Sequence, residues 1–376
     1  MPRHIVYNGK RVTYNGMGLL DPSVTELKFT LNITTDLTFN GVTTGYSEGI
    51  NYDAIIDWGD GIITHLTGIN PTIIHEYSAP GEYDVVIKGI FPYFRFGSAD
   101  DRQSLIRVDN FGETNWVSTV STFYDCSKLK TVKGEADFSN IKSSKQMFRG
   151  CSGIEYIDAK GWDMRKVTTT YLMFFLVGYD YHAATGNSSE LLNLDTWNTS
   201  EGALEDTSQT FNSCMITDLD INTWDMRNVI TTASMFYNAT ILENLNIKDW
   251  DVGNVENMRS MFQGCRKLET LDIANWDVSN VNDMSLMFRQ CYSIVNLDIS
   301  GWDISNVNTM AQFMISVSTW PTAMYDKALI AWAALPSLQT GVAATFGFTK
   351  YSSAAASARQ YIIDTYSWTI NDSGQA

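Results

Sequence analysis

The stretch DMSLMFRQCYSIVNLDISGWDIS, residues 283–305, decides how most of this chain is read. Met284, Met287, Phe288 and Cys291 stand at i, i+3, i+4 and i+7, the spacing that lines one face of a short helix. Asn282 or Asp283 is placed to cap its first turn. Ile294, Leu297 and Ile299 then follow at the spacing of an inward-facing strand, with Asp298 pointing the other way. Trp302 and Ile304 turn the corner, with Asp303 exposed. The same order recurs along the chain. Met235-Phe236, Met261-Phe262 and Met287-Phe288 lie 25 and 26 residues apart, and Trp224, Trp250, Trp276 and Trp302 are each 26 apart. A period in the twenties predicts coils that stack and share one core, because a single coil cannot bury its apolar side alone.

Working outward, Phe123, Phe148, Phe174, Phe211, Phe236, Phe262 and Phe288 mark successive coils, and Phe313-Met314 marks an eighth. Cys126, Cys151, Cys214, Cys265 and Cys291 each lie three residues after one of these Phe slots, where other coils carry Val177, Ala239 or Val317. A slot shared by Cys, Val and Ala asks for a small buried side chain, so the thiols read as core packing. No CxxC spacing suggests zinc, and no metal or cofactor is expected. One coil is long: Phe174 to Phe211 spans 37 residues. The excess, Val177–Glu190 (VGYDYHAATGNSSE), predicts a surface loop in which Tyr179, Tyr181 and His182 are candidate contact residues.

Residues 1–22 hold Asn8-Gly9 and Asn15-Gly16, which favour small hairpins and an N-terminal arm that docks on a partner or lies against the next domain. Over residues 23–100 apolar residues alternate with polar ones: Leu27, Phe29, Leu31 and Ile33, then Ala54 and Ile56, then Tyr83, Val85 and Ile87. Turn signals part these runs, and short strands so spaced predict an antiparallel β-sandwich. Residues 318–376 leave the repeat. Tyr325, Leu329 and Trp332 have helical spacing, a second helix is expected through Tyr366, and Trp368 and Ile370 suggest a short strand. This segment reads as a cap on residues 101–317.

Two resemblances sharpen this outline. Ile56-Asp57-Trp58-Gly59-Asp60-Gly61, followed by His75-Glu76-Tyr77 and Pro80-Gly81-Glu82-Tyr83-Asp84-Val85, resembles the PKD family of immunoglobulin-like domains. The repeat L-D-I-x-x-W-D-V-S-N-V-x-x-M-x-x-M-F-x-x-C-x-x-L resembles the BspA-type leucine-rich repeats, the 26-residue repeats of bacterial surface proteins and mycoplasma lipoproteins. Asn198 after Trp197, Arg165-Lys166, and Ala136 in a Trp slot depart from the pattern. The resemblances imply a mixed fold: an N-terminal antiparallel β-sandwich, a leucine-rich-repeat α/β solenoid of about eight coils, and a small α/β C-terminal cap. Such modules are usually adhesive or structural rather than catalytic.

The net charge of −16 argues against a nucleic-acid partner, which needs clustered Lys and Arg, and favours cationic partners. No run of 18 apolar residues is present, so no membrane span is expected. No phosphate loop, HExxH or GxSxG occurs, and the four histidines are scattered. One polar column remains. Asp158, Asp195, Asp220, Asn246, Asp272 and Asp298 point outward at a strand spacing of ~4.8 Å. Like charges so placed repel by roughly 1 kcal/mol per pair in water, which solvent, a cation or a cationic partner would relieve. A repeated array lacks the unlike environments of a glycosidase acid–base pair. Asp195, Asp220, Asp272 and Asp298 therefore join Tyr179, Tyr181 and His182 as candidate binding residues. A second column, Asp163, Asp225, Asp251, Asp277 and Asp303, is expected to bond corner amides, and Asn140, Asn228, Asn254, Asn280 and Asn306 to bond a neighbouring coil.

The expected function is non-enzymatic: a surface-displayed binding or structural protein. The opening MPRHIVYNGKRVTYNG lacks the apolar core of a secretory leader, which favours a bacteriophage virion component. As a capsid decoration, tail fibre or receptor-binding protein it would contact a host surface protein or glycan. Other virion or surface proteins would be held through the N-terminal region, with homo-oligomers expected. A bacterial surface adhesin is the alternative, and a glycan-active enzyme a remote one.

Overall fold

The computed structural model describes residues 3–7, 10–14, 26–34, 37–42, 49–97, 99–317 and 320–376. Strands β1 (Arg3–Tyr7) and β2 (Lys10–Tyr14) pair antiparallel, with Tyr7 opposite Lys10. The Asn8-Gly9 and Asn15-Gly16 turns lie outside the described residues. Seven strands follow: β3 (Leu27–Ile33), β4 (Thr38–Val42), β5 (Asn51–Asp57), β6 (Ile63–Ile69), β7 (Ile73–Glu76), β8 (Gly81–Ile90) and β9 (Arg95–Phe96). β3, β8, β5 and β6 run antiparallel in that order, and β7, β4 and β9 form a small second sheet. Alternation puts Leu27, Phe29, Leu31, Tyr52, Ala54, Ile56, Val85 and Ile87 in the core with Phe39, Phe94 and Phe96. In the Trp58–Gly61 turn, Gly59 has φ +82°, and a Cβ there would lie 2.7 Å from the Asp84 carbonyl, so only glycine fits.

The first sheet does not stop at these strands. Helix α1 (Ala99–Ser104) leads into β10 (Leu105–Phe111), which pairs antiparallel with β3 on one edge. On its other edge it pairs parallel with β11 (Thr131–Val132), which is followed by β12 (Tyr156–Asp158) and β13 (Glu190–Leu192). The result is one mixed eight-stranded sheet, not a self-contained antiparallel sandwich.

The expected leucine-rich α/β solenoid is likewise corrected. Four α-helices occur among the described residues: α1, α2 (Tyr179–Thr185), α3 (Thr322–Ala333) and α4 (Ala356–Tyr366), and none contains a Met-Phe pair. The Met-Phe segments are runs of tight turns. Ser234 and Asn238, Leu286 and Gln290, and Gln312 and Ser316 have positive φ, four residues apart, which no α-helix permits. Met287, Arg289 and Cys291 donate three residues back, to Met284, Leu286 and Phe288. The intervening amides of Met284, Leu286, Phe288 and Gln290 instead donate to Thr309, Ala311, Phe313 and Ile315, at 2.9–3.1 Å. A helix would send every amide four residues back along its own chain. Here every second amide is answered by the next repeat. Gly and, to a lesser degree, Asn accept the left-handed positions readily; Ser, Gln and Leu, as at Ser234, Gln290 and Leu286, occupy them at a cost of ~1–2 kcal/mol each.

The strand part of the repeat is reduced as well. β14 (Asp218–Asp220) and β15 (Asn244–Asn246) pair parallel, and the Thr270↔Asn296 contact is an isolated bridge. Further single parallel bridges run Thr231↔Asn257, Asn257↔Asp283 and Asp283↔Thr309. The repeats thus lie in parallel tiers, made mostly of sheet contacts and turns.

Side chains lock these tiers together. The rings of Phe123, Phe148, Phe174, Phe211, Phe236, Phe262 and Phe288 stack at 5.3–5.8 Å, within 16° of parallel. The indole N–H of Trp224, Trp250, Trp276 and Trp302 donates to the carbonyl of Leu194, Ile221, Ile247 and Ile273 in the tier before. Asn228, Asn254, Asn280 and Asn306 donate to the Gly202, Arg227, Gly253 and Ser279 carbonyls. After α3, β16 (Ala343–Thr345) and β17 (Thr369–Asn371) pair parallel. They continue the tiers: Met314 N–H donates to Thr345, and Phe346 N–H to Asn371. Arg359 and Tyr325 converge on the buried Asp372 carboxylate, each at 2.8 Å.

Trp197 breaks the indole pattern, because its buried Nε1 has no partner among the described residues. Trp250 Nε1 donates to Ile221 O at 2.8 Å. Trp250→Phe leaves that carbonyl with the Trp224 N–H alone, at 3.1 Å, and is expected to cost about 1–2 kcal/mol. Trp197→Phe removes an unpaired donor and is expected to cost less by about 1 kcal/mol. Denaturant titration of the two variants checks the order.

Candidate functional site

A groove of about 750 Å³ opens on the strand face of the tiers. It is lined by β13, β14, β15 and the following Thr270 and Asp272. Alternation along each strand sends Leu191 and Leu219 into the core and turns Glu190, Leu192, Asp218 and Asp220 outward. The groove lies where the sheet parts: β13 pairs with β12, β14 pairs with β15, and β13 and β14 are not paired. The parting is short. Ser189 N–H donates to Met215 O at 2.8 Å on one side of it, and Trp224 Nε1 donates to Leu194 O at 3.1 Å on the other. Its cause is local: this tier carries the insertion before β13, and Asn193, left-handed at φ 61°, turns the chain into a 3-10 turn over Leu194–Thr196.

The groove is acidic. Glu190, Asp195, Asp218, Asp220 and Asp272 line it, with no Lys, Arg or His. Asp218 accepts the Thr217 hydroxyl and the Asn244 amide, both at 2.6 Å, and these bonds hold its carboxyl below the usual range. Asp220 accepts the Asn222 N–H at 3.1 Å and the Asn246 amide at 3.0 Å. Asn246 thereby stands between Asp220 and Asp272 in the column. Interleaved amide donors relieve the like-charge repulsion that an unbroken aspartate ladder would suffer. Asp158 is treated the same way by Asn193, at 2.6 Å. Among the described residues no three His, Cys, Asp or Glu side chains come together as a metal site.

Of the residues expected to bind, the structure brings Asp195, Asp220 and Asp272 together in this groove. Asp298 does not line it. Ser300 and the Lys327 ammonium, 2.9 Å away, hold the Asp298 carboxylate, and these bonds lower its pKa to about 2. Tyr179, Tyr181 and His182 lie elsewhere, and on a helix, not the expected loop. The Asp180 and Tyr181 amides donate to Ser152 O, and His182 Nδ1 lies 2.9 Å from Asn187 O, so the inserted residues fold back on the adjacent tier. Glu190, Asp218 and Asn244 were not singled out from sequence. For Asp218 and Asn244 the signal was present, two residues before Asp220 and Asn246, where a strand repeats its facing; Glu190 stands in no such relation to Asp195.

The second aspartate column bonds corner amides: Asp225, Asp251, Asp277 and Asp303 accept the N–H of Arg227, Gly253, Ser279 and Ser305. The five cysteines are buried and free. Cys151, Cys265 and Cys291 donate S–H to the Phe123, Phe236 and Phe262 carbonyls of the preceding tier. Burial raises all five thiol pKa values, Cys291 to about 12. No helix among the described residues is long and apolar enough to cross a membrane.

A family model described as Mycoplasma protein of unknown function, DUF285, matches residues 96–201 and 205–325, more than half of the chain. Neither the curated proteins nor the solved structures contain a match.

Two outcomes follow from these charge states. At neutral pH the buried thiols stay protonated, so iodoacetamide is expected to label none of the five until denaturant unfolds the chain; mass spectrometry counts the adducts. Asp298 has a depressed folded pKa, so its contribution is present above the ordinary carboxylate pKa and lost as pH falls through about 2. Asp298→Asn should lower neutral-pH stability by about 1 kcal/mol or less, given solvent screening, and flatten the pH dependence below about pH 4. Thermal melts across that range test the sign.

Proposed function

The chain belongs to the DUF285 family, and on that footing we propose that it is a non-enzymatic binding protein whose strand-face groove holds a lysine- or arginine-bearing segment of a surface partner. The observation that carries this reading is the groove itself: five carboxylates, amides between them, and no cation in the lining. A cationic segment laid there would neutralise charge that the fold otherwise manages with asparagine. Asp218 and Asp220 are each held as hydrogen-bond acceptors by an asparagine of the following tier. A general acid needs a carboxyl pushed upward, and these bonds hold Asp218 down instead. The same reading extends to display on a surface, a virion or a bacterial cell, where stacked tiers present side chains at a fixed pitch.

Fluorescently labelled oligolysine should bind the full chain, more weakly as salt rises. Glu190→Lys with Asp272→Lys should weaken it by about tenfold or more. Equal binding of oligoglutamate, or indifference to the reversals, would sink the reading. Mass spectrometry of purified virions and of cell-surface fractions locates the chain.

A further inference from the structure

Basic side chains gather on part of the face made by the Met-Phe turns, among the carboxylates of Asp125, Asp206 and Asp283. Two slots run along it, one three residues before each Phe slot and one immediately after, exposed at Lys145 and Arg259 and buried at Asn212, Gln263 and Ser285. Lys145 and Arg259 occupy the first slot, Arg149 and Arg289 the second, and neither slot holds Asp or Glu in any of the eight tiers. None of these four cations is ion-paired among the described residues, whereas Arg107, Arg165, Arg227 and Arg359 each sit on an aspartate. Arg149 is fixed in place. Its guanidinium lies 4.9 Å from the Tyr124 ring centre and 5.5 Å from that of Phe175, in the tiers on either side. Its Nη1 donates to the Tyr124 hydroxyl at 2.8 Å, and its buried Nε has no partner. A stacked guanidinium so held loses little freedom when a carboxylate reaches its open edge.

We infer that a second copy of this chain is a partner of the groove: the acidic groove of one copy docks on the turn face of another, around Lys145 and Arg149. The inference rests on the groove's being a cation-binding surface. Charge complementarity selects the occupant, since one chain supplies both surfaces on tiers of the same pitch. The contact is heterologous, so each docked copy leaves one groove and one turn face open and assembly continues beyond a pair. Net charge opposes it, at −16 per copy. That repulsion reaches about 30 Å at 0.01 M salt and about 8 Å at 0.15 M, while contact pairs are screened only as the Debye length falls to about 3 Å near 1 M. Association therefore peaks at intermediate ionic strength, unlike apolar association, which strengthens with salt.

Sedimentation velocity on the full chain across that salt range reads this directly. The expected result is a sedimentation coefficient that rises with concentration, most steeply at intermediate salt. Lys145→Glu with Arg149→Glu, or Glu190→Lys with Asp272→Lys, should each leave a monomer, with circular dichroism showing the fold kept. A wild-type chain that stays monomeric at every salt overturns the inference, as does association that survives both reversals. If it is monomeric yet oligolysine still binds the groove, only this inference falls; if oligolysine fails as well, the proposed function falls with it.

Discussion

Every second amide of each turn segment is answered by a carbonyl one repeat further on, and the rest of the structure depends on that division of labour. An isolated repeat could satisfy only half of these donors, and unanswered buried amides are costly. Stacking is therefore an obligation of the backbone as well as of the apolar side chains. The columns of Phe rings, Trp indoles, Asn amides and Cys thiols reinforce one register, since each reaches a fixed partner in the adjacent tier. A slip by one tier would preserve the pattern; a slip by one residue would break all four columns together.

The same constraint explains what could be read from sequence. The period, the members of the core and the single small slot for Cys were legible because they depend on what is buried, and burial repeats with the chain. The helix was not legible. Spacing at i, i+3, i+4 and i+7 reports which side chains share a face, and two successive tight turns place Met284, Met287, Phe288 and Cys291 inward as well as a helix does. The distinguishing mark lay in the residues between. Positions such as Ser234, Asn238, Ser260 and Gly264 need left-handed backbone, and a propensity for turns there outweighed the apolar period. Independence of the leading strands was also overestimated, because nothing in residues 23–100 announces that β3 will share an edge with β10.

At the candidate site, sequence identified the column Asp195, Asp220 and Asp272 but not the parting of the sheet that turns it into a groove. That parting comes from one irregular tier, in which a helix replaces the expected loop and Asn193 redirects the strand. The aromatic residues of the insertion lie outside the groove: their backbone is tied to the adjacent tier, and Tyr179 stays exposed. The groove owes its existence to the insertion's effect on the backbone, not to the side chains the insertion displays.

The phenyl stack runs from Phe174 to Phe211 at 5.3 Å, within 10° of parallel, as though no extra residues intervened. The long tier thus bulges outward while its interior keeps step with the tiers above and below. Such a joint lets chain length and surface composition drift with no penalty to the packed interior. A lineage could lengthen or trim this segment, and so reshape the adjoining cleft, while inheriting the scaffold unchanged.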